Sequence, residues 1–403
     1  MQIIFENEAS GIRVSYRKED GYDSKRFAIL LSERLSRSER AAEILGGSCI
    51  SVRRETADQT AVSPHCRISV CGRVIEVTVG GILALDAAMR YFDRVLETGR
   101  PESCELRGDR EAPGANAYAF SRRGSHRVMY YNILWDADAR HCPGERNVIA
   151  ADLVREFSPE VVGFQECGRY KRVGLYSDDI VAQMARVGYR EAPVSGVKNS
   201  FHDVNCVPLF YRESEVRFIE GGYHWYVNQP TDTIGPMDVS SKSLSWGVFE
   251  VKATGECFLA ASTHLCTQVE KLRVLQAEEA CGLFEELRRR YGLPIVMGGD
   301  FNSHHLDGGY RYFRDTARYP AASGLATEYT AAEKSYHAYP EFDPELGLCM
   351  PTGGAEYETA KTIDHILFPA APAGLRVRVF GVVVNSFSLA GSDHFPIFSD
   401  FTF

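Results

Sequence analysis

Residues 294–305 read PIVMGGDFNSHH, an apolar run from Pro294 through Met297 that breaks into Gly298 and Gly299 and then delivers Asp300 and Asn302. The run has the length and bounds of a buried strand. A carboxylate and an amide at the end of such a strand are costly unless they are partnered, since an unpaired buried polar group costs roughly 2–7 kcal/mol. The stretch therefore predicts a strand whose C-terminal end opens into a polar site.

Working outward, other apolar segments carry the same residue types at or near an end. VMYYNIL carries Asn132, VVGFQE ends in Glu166, LAASTHL carries His264, KTIDHIL carries Asp364, and AGSDHFPIF carries Asp393 and His394. Gathered at one edge, these groups can satisfy one another around a cation. Carboxylate and amide oxygens without a thiolate cluster suit a hard ion, Mg²⁺ or Mn²⁺, better than zinc. Such an ion takes one or two carboxylates and leaves its other positions to water and phosphate oxygens. Glu166 is the best single ligand candidate.

Apolar strands are interposed with helices. HRVMYYNILWD, EVVGFQE, VNCVPLFYR, SLSWGVFEVKA, ECFLAASTHL, PIVMGGDFN, TIDHILF, LRVRVFGVVV and DHFPIFSDFTF read as strands, while GERNVIAADLVREFSP and TQVEKLRVLQAEEACGLFEELRRRYG read as helices. Hairpin-like pairs mixed with strand–helix–strand units predict two packed mixed sheets with helices outside.

In this order, Asn132 in YYNILWD, Glu166 in GFQE, His264 in STHL, Asp300 and Asn302 in GGDFNS, Asp364 in TIDHILF, and Asp393 with His394 in SDHFPI resemble the endonuclease/exonuclease/phosphatase superfamily, over about residues 126–403. The resemblance implies a four-layer α/β sandwich that hydrolyses phosphoesters with Mg²⁺ or Mn²⁺. It implies Glu166 as principal metal ligand, Asn132 close to the metal and its waters, and Asp393 completing that network. Asp300 would orient or deprotonate the attacking water, and Asn302 would donate to a phosphate oxygen. His394, held by Asp364, would act on the phosphoryl group, and His264 would contact the phosphate. Where many bacterial relatives read THLDH, this chain reads STHLCTQ, so any role of the second histidine is absent. His337, within the acid- and tyrosine-rich segment Ser335–His365, matches the histidine of a TFHGF-like motif that precedes the family's aspartate strand.

Residues 1–112 form a separate small α/β part, joined through a polar Pro- and Gly-containing linker over 113–125. In it RFAILLS and SCISVRRE read as strands, ERLSRSERAAEILGG as a helix, and CRISVCGRVIEVTVGG as a hairpin turning at Cys71-Gly72-Arg73. The amphipathic helix ILALDAAMRYFDRVLETG closes it. Its element order resembles the accessory domain at the N-terminus of some glycoside hydrolases, and it reads as a scaffold or capping module.

The 403 residues are 44% hydrophobic and 25% charged, with a formal net charge of −9 that falls almost wholly after residue 112. That acidity disfavours a duplex-DNA enzyme, which would present a basic stripe. No signal-peptide pattern or run of eighteen apolar residues is present, and the 11 cysteines lack CxxC pairs, so a soluble cytoplasmic protein without disulfides is expected. Trp135, Trp225 and Trp246 read as core or rim, His304 and His305 as solvent-facing loop residues, and Arg273 as part of the outer face of its helix. The expected substrate is a small organic, sugar or lipid head-group phosphate. A nuclease acting on RNA or single-stranded DNA is the second expectation, and a non-catalytic phosphate- or carbohydrate-binding protein the third.

Overall fold

The computed structural model describes residues 2–7, 9–17, 22–36, 38–54, 65–79, 82–107, 126–134, 143–167, 177–194, 197–198, 203–204, 206–228, 242–330, 335–336, 342–343, 348–349, 362–383, 388 and 391–403. The chain divides into two compact units, Met1–Ala112 and Pro113–Phe403. The linker 113–125, Trp135, His337 and most of the segment 335–365 lie outside the described residues.

The first unit is one six-stranded sheet of β1 (Gln2–Asn7), β2 (Ile12–Tyr16), β3 (Cys49–Arg54), β4 (His65–Cys71), β5 (Val74–Val79) and β6 (Cys104–Arg107), in the order β1-β2-β3-β5-β4-β6. Three helices accompany it, α1 (Tyr22–Ser36), α2 (Ala41–Leu45) and α3 (Ile82–Thr98). Val14, Ile50, Val52, Ile68 and Val77 are buried along with Phe27 and Leu31 of α1 and Phe92 of α3, and the Phe27 and Phe92 rings lie 6.4 Å apart. The hairpin turns at Gly72, whose φ of +60° is cheap for a residue without Cβ. One expectation is corrected here. RFAILLS is not a strand but lies within α1; a short apolar run does not distinguish strand from buried helix, and packing of Phe27, Ala28 and Leu31 decides it. The helix expected over Glu33–Gly47 is in fact the end of α1 followed by the separate α2.

The second unit holds the larger set of strands: β7 (His126–Asn132), β8 (Val161–Gln165), β9 (Tyr189–Glu191), β10 (Val197–Lys198), β11 (Asp203–Val204), β12 (Leu209–Arg212), β13 (Val216–Trp225), β14 (Ser243–Val251), β15 (Cys257–His264), β16 (Ile295–Asp300), β17 (Glu328–Thr330), β18 (Phe342–Asp343), β19 (Leu348–Cys349), β20 (Asp364–Ala370), β21 (Arg376–Val382) and β22 (Ile397–Thr402). Its helices are α4 (Pro143–Phe157), α5 (Ser177–Arg186), α6 (Glu270–Tyr291), α7 (Gly308–Arg311) and α8 (Ala322–Leu325). Two mixed sheets result, β17-β21-β22-β7-β8-β12-β9 and β13-β14-β15-β16-β20.

Strands with both faces covered explain the nearly continuous apolar runs. Along β14, β15 and β16 alternate residues go opposite ways. Phe249, Phe258, Ala260 and Val296 join Val128, Tyr130 and Ile397 of the other sheet in the inter-sheet core. Val248, Leu259, Ala261, Ile295 and Met297 pack instead with Ala277, Ala280, Phe284 and Leu287 of α6. On the far side Phe157 of α4 meets Phe398 of β22, with ring centroids 5.2 Å apart. The unit is therefore the expected α/β sandwich, helix–sheet–sheet–helix. Among the described residues no helix is long and apolar enough to cross a membrane, and the cysteines are free thiols.

Gly298 explains the double glycine of PIVMGGDFN. A Cβ there would stand 2.3 Å from the Tyr130 ring, which reaches across from the other sheet. Gly299 takes φ +135°, and a Cβ on it would stand 2.1 Å from the Thr263 carbonyl oxygen. Side chains at either position would force apart the strand ends that carry Asn132, His264 and Asp300.

Candidate active site

Strand register brings the polar ends to one edge. Asn132 pairs with Gln165, one residue before Glu166, and Asp300 lies between His264 on one side and Asp364 on the other. Ser243 is opposite His264, so the residue before it, Lys242, arrives at the same edge. Glu166 and Asn302 adopt φ of +57° and +47°. That left-handed conformation costs a residue with a Cβ roughly 1–2 kcal/mol, so each strand ends in a strained turn at a site residue.

Asn132 ties the two sheets together across the site. Its Nδ2 donates to Glu166 Oε1 at 3.0 Å and to Asp300 Oδ2 at 2.9 Å, while its Oδ1 accepts from the Leu134 amide at 3.0 Å. The Asn302 amide donates to Asp300 Oδ1 at 2.8 Å, and Asn302 Nδ2 lies 2.9 Å from His264 Nε2 and 3.0 Å from the Leu265 carbonyl oxygen. His264 Nε2 is 3.3 Å from Asp300 Oδ2 and 3.9 Å from Glu166 Oε1. On the opposite side His394 Nδ1 is 2.8 Å from Asp364 Oδ2, and its Nε2 is 3.7 Å from Asp300 Oδ2.

Every one of these side chains is buried except Glu166 and Asn302, which are half-buried. Burial pulls the His394 pKa down, but the Asp364, Asp300 and Asp393 carboxylates outweigh it and hold the ring protonated well above its usual range. For Asp300 burial pushes upward, yet His264 and His394 prevail and keep it below the ordinary carboxylate range. Glu166 is likewise held low by His264 and Lys242 against burial. Asp393 differs: burial raises it to about 6, with Glu166 adding to the shift and His394 opposing it.

Two groups of donor atoms converge to within 4.8 Å of one another, Glu166–His264–Asp300 and Asp300–Asp364–His394. Their carboxylate oxygens suit a hard divalent cation, which also offsets the repulsion between acids joined through the Asn132 amide. Asp393 belongs to neither group among the described residues; its Oδ1 accepts from the Ser392 hydroxyl at 3.2 Å, and that hydroxyl also lies 2.7 Å from the Asn132 carbonyl oxygen.

Arg273 is not on a solvent face. It is buried, and its guanidinium donates to the Cys266 and Thr267 carbonyl oxygens at 3.2 and 3.0 Å, bracing the loop that follows His264. The signal was present, because Arg273, Gln276, Ala277, Ala280, Phe284 and Leu287 form one helical stripe. Trp246 is buried and Trp225 half-buried, as expected of core and rim. The His304 and His305 rings lie tilted against each other at the loop surface, with centroids 3.7 Å apart. Cys167 is buried, and its amide donates to the Cys206 carbonyl oxygen at 3.1 Å, which anchors the chain just past Glu166.

Sequence reasoning missed two residues. Lys242 is 3% exposed, with Nζ 2.9 Å from His264 Nε2. Tyr336 pairs with His394 across an isolated bridge, and the two rings lie 4.9 Å apart. Its neighbour Ser335 accepts at Oγ from the Ile363 and Asp364 amides, at 3.1 and 3.0 Å. A lysine at a strand start has no mark distinguishing it from a surface lysine; Tyr336 adjoins the noted His337.

The sequence model of the Endonuclease/Exonuclease/phosphatase family matches residues 129–394, and the chain belongs to that family. It is therefore a hydrolase acting on phosphoester bonds, in a family that depends on a divalent metal. Solved structures share the fold. A family protein from Bacteroides thetaiotaomicron is 24% identical, with 69% of this chain and 98% of that one covered at a TM-score of 0.53. The mannosyl-6-phosphatase of Bacteroides thetaiotaomicron VPI-5482 is also 24% identical, with 69% and 100% covered and a TM-score of 0.53. A family protein from Bacteroides vulgatus is 20% identical, with 70% and 99% covered and the same score. No curated protein matches the sequence.

Proposed function

We propose that this protein hydrolyses the phosphoester of a small organic molecule, such as a sugar or lipid head-group phosphate, with Mg²⁺ or Mn²⁺ and with water attacking phosphorus in line. The observation that carries this reading is the cluster of hydrogen bonds and ion-pair contacts linking Asn132, Glu166, His264, Asp300, Asn302, Asp364 and His394. Glu166, Asn132 and, through the surrounding water network, Asp393 would hold the cation, which neutralises charge on the phosphoryl group. Asp300, kept ionised by His264 and His394, orients the attacking water and accepts its proton. Asn302 and His264 donate to a non-bridging oxygen. His394, kept protonated by Asp364, donates to the phosphoryl group as charge develops. Such a site works by positioning and charge neutralisation rather than by covalent chemistry.

The test is a chromogenic panel of phosphomonoesters, phosphodiesters and oligonucleotides, assayed with Mg²⁺, Mn²⁺ or chelator. Metal-dependent turnover is expected in the wild type, with kcat lower by about 10²-fold or more in Asp300→Ala and His394→Ala. Wild-type rates in both variants would sink the mechanism. A preference for oligonucleotides, lost with rising salt, would point to a nuclease.

A further inference from the structure

Gln276 is 0% exposed, on the same face of α6 as Ala277, Ala280, Phe284 and Leu287 of the core. An amide so deeply placed is costly unless both of its ends are bonded. Here both are. Its Oε1 accepts from the Cys266 amide at 2.8 Å, and its Nε2 donates to the Asn228 carbonyl oxygen at 2.7 Å. An N–H on one side and a carbonyl on the other fix which way the amide faces.

The Cys266 N–H belongs to the same peptide unit as the Leu265 carbonyl, and that carbonyl accepts from Asn302 Nδ2 at 3.0 Å. A peptide unit is planar, so its two edges turn together. Gln276 grips one edge and Asn302 rests on the other. The flanking groups are held as well. The Leu265 amide donates to the Asp300 carbonyl oxygen at 3.0 Å, and Arg273 Nη1 meets the Cys266 and Thr267 carbonyl oxygens. Asn302 needs such an anchor, because its φ of +47° is not a conformation that local preference supplies. Its side-chain NH2 is planar too. With one hydrogen on the Leu265 carbonyl, the other is directed to the side where His264 Nε2 stands 2.9 Å away, which is where the hydrolytic reading places a non-bridging oxygen.

We propose that Gln276 is a positioning residue for phosphoryl binding: through the Leu265–Cys266 peptide plane it aims the Asn302 amide at the non-bridging oxygen. The inference rests on the hydrolytic reading above and adds to it a residue buried beneath the site. A glutamine that only supported the fold would, on removal, lower activity by the same factor whatever stood at position 302. One that acts through Asn302 matters only while Asn302 is present.

The experiment measures turnover of 4-nitrophenyl phosphate and bis(4-nitrophenyl) phosphate by the full chain with Mg²⁺ or Mn²⁺, for Gln276→Met, Gln276→Asn and Gln276→Glu, each alone and combined with Asn302→Ala. In Gln276→Met, kcat is expected to fall about tenfold or more, with KM within threefold and Mg²⁺ affinity within twofold of wild type. On the Asn302→Ala background the same substitution costs less than threefold, as for two residues acting as one unit. Gln276→Glu keeps an acceptor for the Cys266 amide and recovers part of the loss. Hydrogen exchange followed by NMR should show the Cys266 amide exchanging at least tenfold faster in Gln276→Met, while the amides of β15 keep their protection. Equal losses with and without Asn302, unchanged kcat in a Gln276→Met protein, or unchanged protection of Cys266 would each overturn the proposal. Should Gln276→Met not fold, Gln276→Asn, whose shorter side chain does not span both partners, decides by the same readings. A wild type inactive on every ester would defeat the hydrolytic reading instead. Inorganic phosphate titrated calorimetrically at saturating Mg²⁺ would then judge Gln276: affinity at least fivefold weaker in the variant supports the proposal, and equal affinity or no binding overturns it.

Discussion

His365 shows how one residue next to the site feels its surroundings. Its Nε2 donates to the Ser303 carbonyl oxygen at 2.8 Å, its ring packs 4.2 Å from Tyr310, and burial pulls its pKa down to about 4. An unfolded histidine protonates near 6.5. Between about pH 6.5 and 4 the unfolded chain therefore binds more protons than the folded one, and this contribution to stability is present above 6.5 and lost on acidification, by about 3 kcal/mol at most. Denaturant midpoints at pH 7.5 and 4.5 check it: His365→Phe should lose less stability than wild type over that interval. An identical loss in both would refute the assignment. At Glu166 the expectation concerns charge. Glu166→Gln keeps the side chain's size, and divalent-metal affinity by calorimetry should fall tenfold or more; an unchanged affinity would remove Glu166 from the ligand set.

At the scale of elements, the contact between the sheets decides how closely the strand ends approach. Tyr130 of β7 lies against Gly163 of β8 and Gly298 of β16, where a Cβ would stand 2.7 and 2.3 Å from its ring. Gly298→Ala overfills this contact and should cost about 1–3 kcal/mol in denaturant unfolding. Tyr130→Phe should do the reverse. The Tyr130 hydroxyl is buried and meets no hydrogen-bond partner among the described residues, so its removal should leave stability unchanged or raise it by about 1 kcal/mol. A large loss from Tyr130→Phe would show that the hydroxyl has a partner. The same scale explains the misread α1 and Arg273. Local pattern left RFAILLS ambiguous, and the face of α6 that contains Arg273 was readable only as a stripe through Leu287.

For the molecule as a whole, the metal-binding candidates among the described residues fall in the second of the two units. Binding to the native state alone stabilises by RT ln(1 + [L]/Kd), about 2.7 kcal/mol at a hundredfold excess over Kd. Differential scanning calorimetry of the full chain should therefore show Mg²⁺ or Mn²⁺ raising the transition of residues 113–403 and leaving that of residues 1–112 in place. A metal that shifted only the first unit, or neither, would contradict the assignment of the site.

The sequence by itself determined which apolar strands end in polar residues and in what order. Asn132, Glu166, His264, Asp300, Asn302, Asp364 and His394 were legible because polar residues at the ends of apolar runs conflict with local burial, and that conflict survives in a linear reading. The structure places Asp393 beside the others without adding it to either group of converging donors. Only the tertiary structure decided which ends meet. The hydrogen bond from Asn132 to Asp300 spans 168 residues and two sheets, a contact fixed by sheet packing rather than by any local preference. Lys242 was invisible for the same reason. Its burial follows from the pairing of Ser243 with His264, and the register between these two strands is set by the hydrophobic faces they bury.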